Sequence, residues 1–224
     1  LDGEYICDRI CEMEYDALDK LKESLDGLCN RDINAYEELM YGLLLSGLAM
    51  QMTGHSRPAS GAEHHMAHFW EMAVINDEID AYQVGVGLIQ VSDIYHEAVK
   101  YLKEGNFKVK DHVDIETDLI EKTFTNKELC ESIKKTNDPN LLDLIDPKVL
   151  REKTEEIIRI IEEIPKADEI VAMLEKVHGV KSLEDIGFTP DMKEKTARVA
   201  PYIRDRITFM RILKFYDFYD DVIK

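Results

Sequence analysis

The chain has 224 residues, enough for one sizeable core, and its 45% apolar and 33% charged residues are the balance of a folded chain rather than a disordered one. A formal net charge of -18 repels phosphate backbones and anionic lipid heads, so neither nucleic acid nor a membrane surface is expected as a partner. The longest strongly apolar run, Leu43 to Met50, is far too short to span a bilayer, and no signal peptide is expected ahead of it.

From Glu4 to Cys29 apolar residues recur at helical spacing, with Tyr5, Ile6, Ile10, Met13, Leu18, Leu21, Leu25 and Leu28 on a broad stripe. Asn30-Arg31-Asp32 supplies a stop and a new cap. Ile33 to Thr53 is apolar all round and is expected to be a central, buried helix. The segment from Gly54 to Gly61 has the Gly, Pro and Ser composition that breaks one helix and starts another. Ser60 is read as the next cap, with Glu63 completing a capping-box pattern, so that His64 and His68 fall in the first turns of a helix reaching about Ile75.

After a break at Asn76-Asp77-Glu78, Tyr82 to Lys103 reads as a helix whose Gly85 and Gly87 suggest the close approach of a neighbouring helix. Short helices are expected near Ile115 to Phe124 and Lys127 to Lys135, with turns at Asp138-Pro139 and Asp146-Pro147. Pro147 to Ile164 reads as one strongly periodic helix with proline at its first position, and Asp168 to His178 as a shorter one. Pro190 to Ala200 and Tyr202 to Val222 complete an all-α chain, a single helical domain over residues 1–224. No glycine-rich loop follows a strand anywhere, so the pattern offers no platform for a nucleotide.

Cys7 and Cys11 lie one helical turn apart, while Cys29 and Cys130 stand alone, which matches neither a zinc ribbon nor a disulfide framework. Reduced, mostly buried thiols and a cytoplasmic protein are the expectation.

Four of the seven histidines fall between residues 55 and 68. His64 and His68, four apart, share one helix face, a spacing that can serve a divalent metal. It is not the zinc-protease pattern, and on spacing alone capping or packing histidines are the commoner case. Glu63 could pair with an imidazole or complete the cap. Arg57, just before a helix N-terminus, could hold an anion with the backbone N–H groups there, although a lone loop arginine is more often a surface residue. His55 and His65 carry no separable signal.

Ser46-Gly-Leu-Ala-Met50, then Gly54-x-Ser-Arg-Pro-Ala-Ser-Gly-x-Glu-His-His65, then His68-Phe-Trp-Glu-Met72 together resemble the signature of the sn-glycerol-1-phosphate dehydrogenase family, related to glycerol dehydrogenases and dehydroquinate synthases. Gln83-Val-Gly-Val-Gly87, Ser182-Leu-Glu-Asp-Ile-Gly187 and Tyr202-Ile-Arg-Asp-Arg-Ile-Thr208 extend the resemblance over nearly the whole chain. It implies a two-part oxidoreductase, with an N-terminal Rossmann-like half for NAD(P) and a C-terminal helical half carrying most of a metal site, of which this chain is the second. A divalent metal, usually zinc, would polarise the hydroxyl of a small phosphorylated polyol while a hydride passes to the nicotinamide. By position, His64 matches the first metal-ligating histidine, and His68 a neighbour that contacts substrate or relays a proton. Ser56, Arg57 and Ser60 match the loop lining the substrate pocket. The resemblance also implies a role in phospholipid metabolism and self-association.

The chain departs from that pattern at the second ligand. The family places a His-Gly pair about sixteen residues after the first ligand, where this chain has Asp80-Ala81; Asp80 is the candidate ligand there. A carboxylate adds charge and alters metal preference. His178-Gly179 is not the displaced pair, since helix termination accounts for it. Two further readings follow: a non-catalytic binding or regulatory homologue whose metal site has degenerated, or a subunit that completes its site with a separate nucleotide-binding partner.

Overall fold

The computed structural model describes residues 1, 3, 5–73 and 81–224. Among them regular structure is helical, and the β contact is an isolated antiparallel bridge between Val109 and Tyr216. Helices α1 (Asp8–Cys29) and α2 (Ile33–Thr53) form a hairpin, turned by Arg31 in a left-handed conformation and capped by Asp32, whose carboxylate accepts the Asn34 N–H at 3.0 Å. The two helices meet through small residues: Ala17 and Ser24 on α1, Ala35, Gly42 and Ala49 on α2.

That seam reverses the expectation for α2. Only its small residues are buried, whereas Met40, Leu43, Leu44, Leu48 and Met52 are 51–62% exposed. The central helix is instead α4 (Ala81–Glu104), which packs against α3 (Ala62–Ala73), α8 (Thr154–Glu162) and α9 (Ala167–Lys176). Hydrophobicity all round a helix says that it needs cover without saying that its own chain supplies it.

Gly87 is where α3 and α4 touch. A Cβ built there would stand 2.7 Å from the Glu63 carbonyl oxygen, which belongs to backbone and cannot swing aside. Gly85 is less constrained, since its Cβ would meet Leu174 at an ordinary 3.6 Å. Gly87→Ala is therefore expected to destabilise the protein by about 1–3 kcal/mol, as overpacking does, and Gly85→Ala to cost less; urea unfolding of the two variants checks this.

The connecting helices are α5 (Thr117–Thr123), α6 (Lys127–Thr136), α7 (Pro147–Glu152) and α10 (Met192–Val199). The single helix expected from Pro147 to Ile164 divides into α7 and α8 at Lys153, where the Thr154 hydroxyl donates to the carbonyls of Leu150 and Arg151 and competes with the helical ladder. The larger departure is at the end of the chain. In place of one helix from Tyr202 to Val222 there are 3-10 turns at Ala200–Tyr202 and Leu213–Phe215, and two short helices, α11 (Phe209–Ile212) and α12 (Tyr219–Val222). Residues 203–208 between them are irregular.

Met210, Ile212, Leu213, Phe215, Tyr216 and Phe218 of this end are all buried, so tertiary partners decide its backbone. Fully buried Arg211 donates to the carbonyls of Pro201 and Arg204, each at 3.4 Å, and to Asn137 Oδ1 at 2.6 Å. The Tyr95 hydroxyl accepts the Met210 N–H at 3.0 Å. Lys214, also buried, donates to Glu116 and to the Arg198 carbonyl, and lies over the rings of Tyr202 and Tyr219.

The cysteines are free thiols, but their burial is not as expected: Cys130 is buried, Cys7 and Cys11 are half-buried, and Cys29 is exposed, its thiol donating to the Lys176 carbonyl. Among the described residues no helix is long and apolar enough to cross a membrane.

Candidate functional site

Helix α3 carries the histidines. It begins at Ala62, later than a cap at Ser60 would start it, and the Glu63 carboxylate accepts the Gly61 N–H at 2.6 Å. The same Glu63 oxygen lies 2.8 Å from His64 Nδ1. Burial pushes the Glu63 carboxyl up, but the hydrogen bonds from His64 and from backbone N–H groups outweigh it and hold its pKa below the ordinary value. An ionised carboxylate can only accept, so His64 carries its proton on Nδ1 and presents Nε2 as a basic nitrogen.

One turn on, His68 lies 3.4 Å from Glu71 through Nδ1 and 3.2 Å from an Arg204 guanidinium nitrogen through Nε2. Arginine only donates, so His68 Nε2 accepts and the ring is neutral. Burial lowers the His68 pKa and the Arg204 charge adds to the fall, against the opposing hydrogen bond to Glu71. Both histidines thus stand on one partly exposed face, each backed by a carboxylate.

His65 points elsewhere. It is 1% exposed, and neither ring nitrogen has a hydrogen-bond partner. Burial, with the nearby Arg206 charge, pushes its pKa down to about 4.

The loop of residues 56–60 is held from a distant part of the chain. Arg206 donates to the Ser60 carbonyl at 3.0 Å and to Ser56 Oγ at 2.8 Å, across 146 and 150 residues of sequence. Arg57 lies exposed in the 3-10 turn Arg57–Ala59. The structure therefore brings together His64, His68, Ser56 and Ser60, and adds Glu71, Arg204 and Arg206. Asp80 lies outside the described residues. The arginines had a sequence signal: two cations two residues apart in an acidic chain, within a stretch that carries the family resemblance.

Among the described residues, His64 offers a divalent metal a nitrogen of suitable chemistry. A neutral imidazole whose second nitrogen is tied to a carboxylate is how metal-ligating histidines are commonly oriented. Among the described residues, no group of three His, Cys, Asp or Glu side chains is placed to hold a metal ion. A separate cavity of about 300 Å3, lined by Lys110, His112, Glu116, Arg198 and Lys214 among others, is an ion-pair network rather than a second site: Arg198 pairs with Glu194 and Asp220, and Lys214 with Glu116.

Comparison with known proteins finds relatives over almost the whole chain. The chain is 28% identical over 220 residues to a glycerol-1-phosphate dehydrogenase (NAD(P)+) of Halalkalibacterium halodurans, covering 95% of this chain and 46% of the relative. Its relatives are glycerol-1-phosphate dehydrogenases. The Geobacillus stearothermophilus protein of that name is 26% identical over 208 residues, 92% of this chain and 45% of the relative. That of Bacillus licheniformis reaches 35% over a shorter stretch of 103 residues. The chain spans less than half the length of each of these glycerol-1-phosphate dehydrogenases. No family model matches it, and neither does any solved structure.

Proposed function

We propose that this chain is the helical, metal- and substrate-binding half of a glycerol-1-phosphate-dehydrogenase-like oxidoreductase, which moves a hydride between NAD(P) and a small phosphorylated polyol. The observation that carries the reading is the Glu63–His64 pair at the start of α3, beside His68 and the loop that holds Ser56 and Ser60. His64, with Asp80, would hold the divalent metal, zinc by the resemblance. When bound, that ion polarises the substrate oxygen. Glu63 keeps the His64 proton on Nδ1. His68 Nε2 is the acceptor through which the substrate hydroxyl proton leaves for solvent as the carbon-bound hydrogen passes as hydride to the nicotinamide. Ser56, Arg57 and Ser60 would line the substrate pocket.

The exposed face of α2 supports a nucleotide-binding unit as partner, in the same chain or as a separate one. Met40, Leu43, Leu44, Leu48 and Met52 are all exposed along α2, an apolar stripe of the kind that an interaction covers. A second reading, a binding or regulatory homologue without catalysis, is favoured by the carboxylate of Asp80 where the family has an imidazole.

The deciding experiment is metal analysis of the native protein that contains this chain, alongside NAD(P)-dependent oxidation of glycerol-1-phosphate. The wild type is expected to hold stoichiometric metal. His64→Ala should lose it, and Glu63→Gln should hold it about 10- to 100-fold more weakly, as when a carboxylate behind a ligand is removed. Metal content unchanged in His64→Ala would remove the basis of the proposal.

A further inference from the structure

Arg204 is the cation in this region whose position the fold explains least by stability. It is exposed, and no carboxylate pairs with it among the described residues, although the chain carries 46 acidic against 28 basic side chains. Its guanidinium rests on His68 Nε2, a neutral nitrogen and a weak partner for a full positive charge. Its backbone is far from loose. Buried Arg211 holds the Arg204 carbonyl, and two residues on Arg206 is fastened to Ser56 and Ser60. A rigid stretch thus presents a guanidinium beside the only acceptor nitrogen of His68.

We infer that Arg204 is the residue that recognises the phosphate of the polyol substrate, with Arg206 as the positioning residue that fixes the Ser56–Ser60 loop against it. This rests on the reading of the site given above. A guanidinium offers planar, paired N–H groups that match two phosphate oxygens, an arrangement that a neutral imidazole cannot match in strength. When Arg204 turns to a phosphate it vacates His68 Nε2, leaving that lone pair to the substrate hydroxyl. Phosphate recognition and exposure of the acceptor are then one movement of one side chain. A phosphorylated polyol is preferred over a neutral one on the same ground.

The test is calorimetric titration of the native protein with glycerol-1-phosphate and with inorganic phosphate, comparing wild type, Arg204→Gln, Arg204→Lys and Arg159→Gln. Arg159→Gln removes the same charge on α8, which meets α4 around His96 and Lys103, whereas the start of α3 meets it at Gly87. Arg204→Gln should weaken both ligands roughly 10- to 100-fold, the loss typical of charged hydrogen bonds. Arg204→Lys should recover part of the affinity, and Arg159→Gln should change it less than twofold. In turnover, KM for the phosphate ester should rise far more than kcat falls, the signature of lost binding rather than lost chemistry. Binding by Arg204→Gln within twofold of wild type would overturn the inference and leave the site reading standing. A wild-type protein that binds neither anion would overturn the reading itself, and the inference with it.

Discussion

Trp70→Ala is expected to cost about 3–5 kcal/mol, the range for deleting a fully buried large aromatic. Trp70 is 0% exposed, packs on Phe188 with ring centroids 5.8 Å apart, and donates its indole N–H to buried Thr196 Oγ1 at 2.7 Å. The loss has two parts, the cavity and the broken hydrogen bond, and Trp70→Phe separates them. It keeps most of the ring contact and should lose about 1 kcal/mol for the bond plus a smaller packing cost. Because Trp70 is six residues beyond His64 on the same helix, the alanine variant should also loosen the histidine face. Urea unfolding gives the energies; a Trp70→Ala midpoint within experimental error of wild type would show that α3 is not anchored through this residue.

The second large effect is one of pH. His65 titrates near 4 in the folded chain, because burial and the Arg206 charge oppose its protonation, against about 6.5 when unfolded. Between those values the unfolded state binds a proton that the folded state refuses. Stability therefore falls as the pH drops from about 6.5 towards 4, by up to about 3 kcal/mol from this one group, and is unaffected by it above 7. Glu63 acts in the same direction at lower pH, since its depressed carboxyl stabilises the fold only while ionised. The two separate by mutation. His65→Leu should abolish most of the loss between pH 6.5 and 4.5 while leaving stability at pH 7.5 nearly unchanged, as no hydrogen bond of the imidazole is removed. Unfolding midpoints of both proteins at pH 7.5 and 4.5 measure it. Parallel pH profiles would refute the assignment to His65.

The helical class and most helix limits were legible in the sequence because local signals coincide with tertiary ones. Ile33 to Thr53 was bounded by Asp32 and Gly54, and α2 has those ends because a carboxylate cap and a left-handed glycine fix them. Its burial was not legible, since composition reports how much surface needs cover and not where the cover comes from. The 203–208 stretch was misread as helix for a related reason. Arg211, itself bonded to Asn137, holds the Arg204 carbonyl, while Asn137 and Tyr95 fix the flanking Tyr202 carbonyl and Met210 N–H; Asn137 and Tyr95 are so remote in sequence that they leave no periodic trace. His64 and His68 stand out in the sequence by spacing and resemblance, and the close helix approach at Gly87 by the small size of that residue. The pairing of Arg204 with His68 and of Arg206 with Ser56 could not be read, because nothing local predicts contacts across 136 to 150 residues.

That separation sets an order of events during synthesis. Helices α1 to α3 have local hydrogen bonds and can form as they emerge, but the loop at residues 56–60 has no arginine to hold it until more than half the described chain has followed. The histidine face is thus among the last features to be completed, although its own residues are made early. A nascent chain halted before Arg204 would carry every histidine of α3 and neither guanidinium that organises them.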